Sequence, residues 1–318
     1  MRDYIIRRLL LVLPIMIGVS FVTYATFSII PGDAAILICQ FSCTDEVVAD
    51  IRADLGLDRP FFVQYGDWLW NAIQLDFGAS FHTKLAVTTE LGRRLPVTLE
   101  LMVMSMIFAL VLGIPPGVLS AIRPGTIADF FTRFISVLWL SVPNFYIAIL
   151  IIAFGFNWFG WSPPQFSDGK ATLIYEDPAR SLEIFFFPSL TLAVGIAAVI
   201  MRLTRSSMLE VMRNDYVRTA WSKGLRERVV VWRHALKNAM IPVLTIVGLQ
   251  VGALIGGAVL IEQVFALQGI GFYLLVAILT RDLLVVQSLV LIFAIAYVGV
   301  NLAIDVAYAW LDPRIHYA

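Results

Sequence analysis

Apolar residues gather along this chain into six runs, roughly Leu9–Ile30, Pro96–Ile122, Phe134–Phe156, Ile184–Met201, Ile241–Ile261 and Leu283–Leu311. A helix that crosses the hydrocarbon core of a bilayer needs about 20 such residues. Barrel strands would instead alternate apolar and polar positions over about ten residues. These runs do not alternate, so they predict about six transmembrane helices. The sixth exceeds a span and predicts a tilted or projecting helix. The first follows Arg2, Arg7 and Arg8 in the manner of a secretory signal, but it runs on to Ser28–Asp33 without a small-residue cleavage site. An uncleaved first helix is therefore expected.

Between the fourth and fifth runs the pattern turns amphipathic. Tyr216, Val217, Ala220 and Trp221 recur at helical spacing, with Asp215, Arg218, Thr219, Ser222 and Lys223 on the other face. Gly224 follows where a helix stop is expected. Leu225, Val229, Trp232 and Leu236 then form a second stripe, flanked by Arg226, Arg233 and Lys237, and Pro242 opens the next run. The segment predicts two short amphipathic helices joined at a glycine beneath the membrane. Val229 to Trp232 are consecutive apolar residues, so the second helix should be covered on more than one side.

The longest polar interval, Pro31 to Leu95, reads as loop and short helix. In it "TDEVVADIRADLGLDRP" offers a Thr44 cap, acidic first-turn residues and a Gly–Leu–Asp–Arg–Pro stop, and the aromatic "FFVQYGDWLW" follows. This insert is either a structural cap or a docking surface for an external partner. The interval Asn157 to Glu183, rich in Trp, Pro and acids, could belong to the same surface.

Composition agrees with a polytopic membrane protein. Of 318 residues, 59% are hydrophobic and only 14% charged, where a soluble chain carries roughly a quarter charged. Lys and Arg total 23. Fifteen of them would share one side in a six-span topology: Arg2, Arg7, Arg8, Arg123, Arg133, nine from Arg202 to Lys237, and Arg314. Cytoplasmic loops carry this excess, so both termini and the amphipathic segment are expected in the cytoplasm and the insert outside it. Cys39 and Cys43, the only cysteines, would then lie in an oxidising compartment as a possible disulfide.

Catalytic patterns are missing. There is no G-x-x-x-x-G-K-[ST] nucleotide loop, no H-E-x-x-H and no nucleophile elbow, and His82, His234 and His316 are scattered. The chain is expected to be no enzyme, to bind no metal and to have no nucleic-acid partner. Glu100, Glu262 and Asp305 lie near span ends, where capping or snorkelling explains them better than a proton relay. Gly248, Gly252 and Gly256 form a small-residue ridge on the fifth run, for packing within this chain or against a second membrane subunit.

The amphipathic segment resembles the "EAA" coupling loop of binding-protein-dependent ABC import permeases. Arg218–Thr219–Ala220 stand at the E-A-A place, Gly224 at the glycine and "HALK", His234–Lys237, at the I-x-L-P. The wording is that of the dipeptide/oligopeptide/nickel branch, "YVRTAxxKGL" and "RHALxNAxIP". Further motifs extend the resemblance along the chain: "RRLL", "IPGD", "LGLDRP", "RLPVTLEL", "SVPNF", "PSLTLA" and "LDPR". The resemblance implies an all-α type I ABC importer permease fold. It divides the chain into an N-terminal helix (1–30), an extracytoplasmic insert (31–95) and a five-helix core (96–318) with its coupling loop at about 204–240.

The residues implied in coupling are Tyr216, Arg218, Thr219, Ala220, Lys223, Gly224, Leu225, Arg233, His234, Ala235, Leu236 and Asn238. Implied partners are a homologous second permease in a heterodimer, two cytosolic ATPases that bind ATP and Mg, and an external solute-binding protein. The implied cargo is a di- or oligopeptide, with a nickel complex, glutathione or an oligosaccharide as alternatives. An ion-gradient-driven transporter or channel would show repeats, broken helices and midplane carboxylates, and an integral-membrane enzyme would show a catalytic cluster; neither pattern is seen.

Overall fold

The computed structural model describes residues 2–29, 44–54, 58–164 and 171–311. Cys39 and Cys43 lie outside them. The described residues are helical almost throughout: α1 (Arg2–Ile29), α2 (Asp45–Asp54), α3 (Phe61–Ile73), α4 (Val87–Ile122), α5 (Ile127–Ser141), α6 (Asn144–Phe159), α7 (Pro178–Val211), α8 (Asp215–Ser222), α9 (Glu227–Val264), α10 (Ile270–Leu279) and α11 (Leu283–Leu311). Among them α4, α7, α9 and α11 are long and apolar enough to cross a bilayer, and the bent pair α5–α6 makes up to five. In α1 the apolar stretch, Val12–Thr26, is shorter.

The run Phe134–Phe156 is not one straight helix. It breaks by 96° between α5 and α6, at Val142, which is extended (φ −105°, ψ 123°). Pro143 explains the break, because a proline ring disfavours the helical conformation of the residue before it.

Packing groups the chain into two units, one within Met1–Pro96 and Gly269–Leu302, the other within Val97–Gln268. The linear division thus differs from the division by packing, since α10 and the first part of α11 share a core with α3 and the start of α4. That core contains Trp68, Ala72, Val87, Leu91, Ile270, Tyr273, Val285 and Leu289. Buried Asp282 accepts from the Ser80 hydroxyl at 2.6 Å and the Phe81 amide at 2.9 Å, tying the 80–85 turn to the start of α11.

The second unit is organised around α7. Asp177 caps it, accepting from the amides of Ala179 and Arg180, and Pro178 occupies its first turn. Its central stretch, 184–201, is almost wholly apolar and packs against α4, α5, α6 and α9. Lipid tails are as apolar as leucine, so helices here associate through close fit more than through burial from water. Helices α4 and α7 show such a close fit. A Cβ on Gly113 would lie 2.8 Å from Ile200 Cγ2, and one on Gly117 would lie 2.7 Å from the Met201 carbonyl oxygen.

The expected ridge on α9 is divided between the interior and the exposed surface. Gly248 is buried and Gly252 half-buried, but Gly256 is exposed with open space about it. The internal approach falls one residue later, at Gly257, where a Cβ would meet Leu192 Cδ1 at 2.6 Å. Gly117→Ala should destabilise the protein by about 1–3 kcal/mol, since a backbone carbonyl cannot rotate away. Gly256→Ala should leave the thermal unfolding of the purified chain unchanged. Equal melting temperatures for the two variants would refute this assignment of the ridge.

Candidate functional site

The amphipathic segment forms a joint between α7 and α9. Helix α8 ends in paired hydrogen bonds: the Gly224 amide donates to the Trp221 carbonyl at 2.9 Å, and the Leu225 amide to the Ala220 carbonyl at 3.4 Å. Gly224 itself has φ +73°. This is the glycine-terminated helix end that satisfies the last carbonyls.

The second half departs from the expected pair of short helices. From Glu227 the chain winds without interruption to Val264, through a π-helical stretch at Val230–Ala235, and Pro242 lies inside this helix. The wider π turn spreads the consecutive apolar residues to different sides. Val230 packs with Val217 and Ala220 of α8. Val231, Ala235 and Ala239 pack with Val118 and Ala121 of α4 and Met208 of α7. Leu236 packs at the edge of the same cluster. Val229 and Trp232 remain exposed.

Tyr216 and Asn238 meet across the joint, the amide Nδ2 donating to the phenolic oxygen at 2.9 Å and to the His234 carbonyl at 3.1 Å. Thr219 donates to the Asp215 carbonyl at 2.9 Å. The exposed Arg218 lies 3.7 Å from the Asp215 carboxylate. Lys223 and Arg233 are exposed, and His234 is half-buried. The residues expected in coupling therefore separate into those that weld the joint and those that face outward. Its outer surface combines Trp221, Leu225, Val229 and Trp232 with Arg218, Lys223, Arg226, Arg228 and Arg233. A mixed apolar and basic patch of this kind suits a protein carrying acidic and apolar residues.

Just before the joint lies a polar centre that sequence reasoning missed. Asp129 is 2% exposed. It accepts from Arg205 Nε at 2.8 Å and Nη2 at 3.2 Å, from the Ser120 hydroxyl at 2.5 Å and from the Gly125 amide at 3.0 Å. Arg133 Nε stands 3.5 Å away. Thr126 caps α5, accepting from the Asp129 amide. The Thr126-x-x-Asp129 spacing of a capping box was the available signal. The centre fixes the α4–α5 turn to α7 six residues before α7 ends.

At the other end of this unit two carboxylates act as ties. Glu262, wholly buried, accepts from the Thr98 hydroxyl at 2.6 Å. Glu100 accepts from the Ser181 hydroxyl and from the Ile174 amide at 3.0 Å. Asp305 lies outside the residues whose side chains are described. Among the described residues no His, Cys, Asp or Glu cluster could hold a metal.

Two family profiles match the chain. One, the binding-protein-dependent transport system inner membrane component, matches residues 113–317. The other, the N-terminal membrane component of such systems, matches residues 1–102. The dipeptide transport system permease protein DppB of Alkalihalophilus pseudofirmus is 38% identical over 333 residues, covering all of both chains. A putative peptide transport system permease protein of Brucella suis biovar 1 is 39% identical over 317 residues, again at full coverage. The glutathione transport system permease protein GsiC of Escherichia coli K12 is 36% identical over 317 residues. Among solved structures, a chain of the MetNI methionine ABC transporter in an inward facing conformation superposes with TM-score 0.55 at 19% identity, over 71% of this chain and 97% of that one. That likeness carries the fold of a type I importer permease. With both profiles and full-length relatives in agreement, the chain belongs to the family of binding-protein-dependent transport system inner membrane components.

Proposed function

We propose that this chain is the permease subunit of an ATP-driven peptide importer, forming half of the translocation pathway beside a homologous subunit. The observation that carries the reading is the glycine-hinged joint with its exposed apolar and basic surface, packed by Val231, Ala235 and Ala239 onto α4 and α7. Two cytosolic ATPases would grip this surface, and ATP and Mg would be theirs to bind. Closure of the ATPase pair would push the joint, and α4, α7 and α9 would follow because the joint shares their core. An external solute-binding protein would deliver the cargo. Relatives named for dipeptides, peptides and glutathione support a peptide.

The test is uptake of a labelled dipeptide into proteoliposomes holding the whole complex. Uptake should require ATP, both permeases and the binding protein. Uptake driven by an ion gradient through this chain without ATPases would overturn the proposal. Orientation follows from the same reading and the basic-residue bias. In a chain freed of native cysteines, Ser222→Cys should react with an impermeant thiol reagent only in inside-out vesicles. Tyr175→Cys should react only in right-side-out cells, and the reverse pattern would sink the topology.

A further inference from the structure

Helix α3 has three faces of different character. Trp68 and Ala72 are buried on the first, and Phe61 and Tyr65 of that face meet Phe21 and Tyr24 of α1. On the second face Phe62, Trp70 and Ile73 are 74%, 65% and 68% exposed, with Val63 and the open Gly66 among them. The third carries Gln64, Asp67, Asn71 and Gln74, with Asp67 paired to Arg59 at 3.0 Å. At 3.6 residues per turn these sets occupy adjoining sectors along the length of the helix.

The depth of α3 is set by its bonds to α1. Tyr65 and Ser20 share a hydroxyl hydrogen bond at 2.8 Å, the Tyr65 hydroxyl donates to the Ile17 carbonyl at 3.3 Å, and the Tyr24 hydroxyl donates to Gln64 at 3.2 Å. All three lie within the apolar stretch of α1, level with its exposed Ile17, Phe21 and Val22. Phe21 stacks on Phe62 at 6.4 Å, so the exposed stripe of α3 continues the exposed apolar surface of α1.

We propose that α3 is an interfacial helix: acyl chains of one leaflet cover Phe62, Gly66, Trp70 and Ile73, while Asp67 and Asn71 stay in water. A helix with an apolar and a polar face side by side is stable at the hydrocarbon–water boundary, where Trp and Tyr also concentrate. A protein partner seated on the stripe would have to interrupt the surface that α1 and α3 share. The insert is thereby held at the membrane surface by lipid as well as by α1. This inference rests on membership of the membrane family and is independent of the cargo.

The test places single spin labels in the assembled complex, in phosphatidylcholine–phosphatidylglycerol nanodiscs, with Cys39→Ser and Cys43→Ser as background. Labels at Phe62→Cys, Gly66→Cys and Trp70→Cys should collide with oxygen in preference to a nickel chelate. Labels at Asp67→Cys and Asn71→Cys should show the opposite preference. Nickel access along the stripe would place it in water, and exclusion of both reagents would place it under protein; either result overturns the proposal. A second measurement alters the stripe least: Trp70→Phe should reduce the quenching of tryptophan fluorescence by brominated lipid, and unchanged quenching would also overturn it.

Discussion

Asp129→Ala is expected to destabilise the protein by about 3 kcal/mol, read as a large drop in the melting temperature of the purified complex. The substitution leaves the Arg205 guanidinium, whose side chain is only 24% exposed, with the neutral Ser120 oxygen in place of its carboxylate, and removes the acceptor of the Ser120 hydroxyl and the Gly125 amide. Breaking a buried pair by removing one partner costs about 3–5 kcal/mol, and the partial exposure of Arg205 puts this case at the lower end. The double variant Asp129→Leu with Arg205→Met removes both charges and should recover part of the loss, leaving only the neutral donors unpaired. If the single variant melts no lower than the double, Arg205 is not held by Asp129 as the geometry indicates. Because the pair sits just before the joint, uptake should fall with stability in the single variant.

Much of this arrangement is written locally in the chain. Apolar runs of about 20 residues or more become α4, α7, α9 and α11. Asp177–Pro178 and Gly224 begin and end helices where capping chemistry places them. What is not legible depends on partners distant in sequence. Nothing near Asp129 says that its partner is Arg205, 76 residues away. Gly113 and Gly117 are separated by Ile114, Pro115 and Pro116, which disguise them as a breaker segment. Only the approach of Ile200 and the Met201 carbonyl reveals why they lack side chains. The evenly spaced Gly248, Gly252 and Gly256 read as a ridge for packing within the chain or against a second subunit, and periodicity cannot say which face meets which neighbour. Pro242 reads as the start of a span, although a proline can be accommodated within a membrane helix when neighbouring groups satisfy the freed carbonyl. The same limit hides the merger of the second amphipathic helix with α9. Its stripe and the following apolar run are continuous, and a π turn leaves no composition of its own.

Gly224→Val is expected to abolish most transport while the protein still inserts and assembles. A Cβ at this position would meet nothing within 4 Å, so no clash arises inside the chain. The expense is conformational: φ +73° suits glycine, and a residue with a side chain holds it at roughly 1–2 kcal/mol, more when branched at Cβ. That is small beside the stability of a domain, but it can be relieved by unwinding the two hydrogen bonds that end α8. Relief would turn α8 against Val230 and move Trp221 and Arg218 away from Trp232 and Arg233 on the proposed ATPase-facing surface. Gly224→Asn separates this from a simple need for space. Asparagine tolerates the left-handed conformation yet carries a side chain, so it should retain much of the uptake that valine loses. Ser222→Ala, which forfeits only a bond to the Arg218 carbonyl, should be nearly silent. Uptake, ATP hydrolysis stimulated by the loaded binding protein, and subunit stoichiometry would be measured together. Normal uptake by Gly224→Val would show that the joint does not depend on its turn. Equal loss in the valine and asparagine variants would show that the partner surface, and not the backbone, requires a bare glycine here.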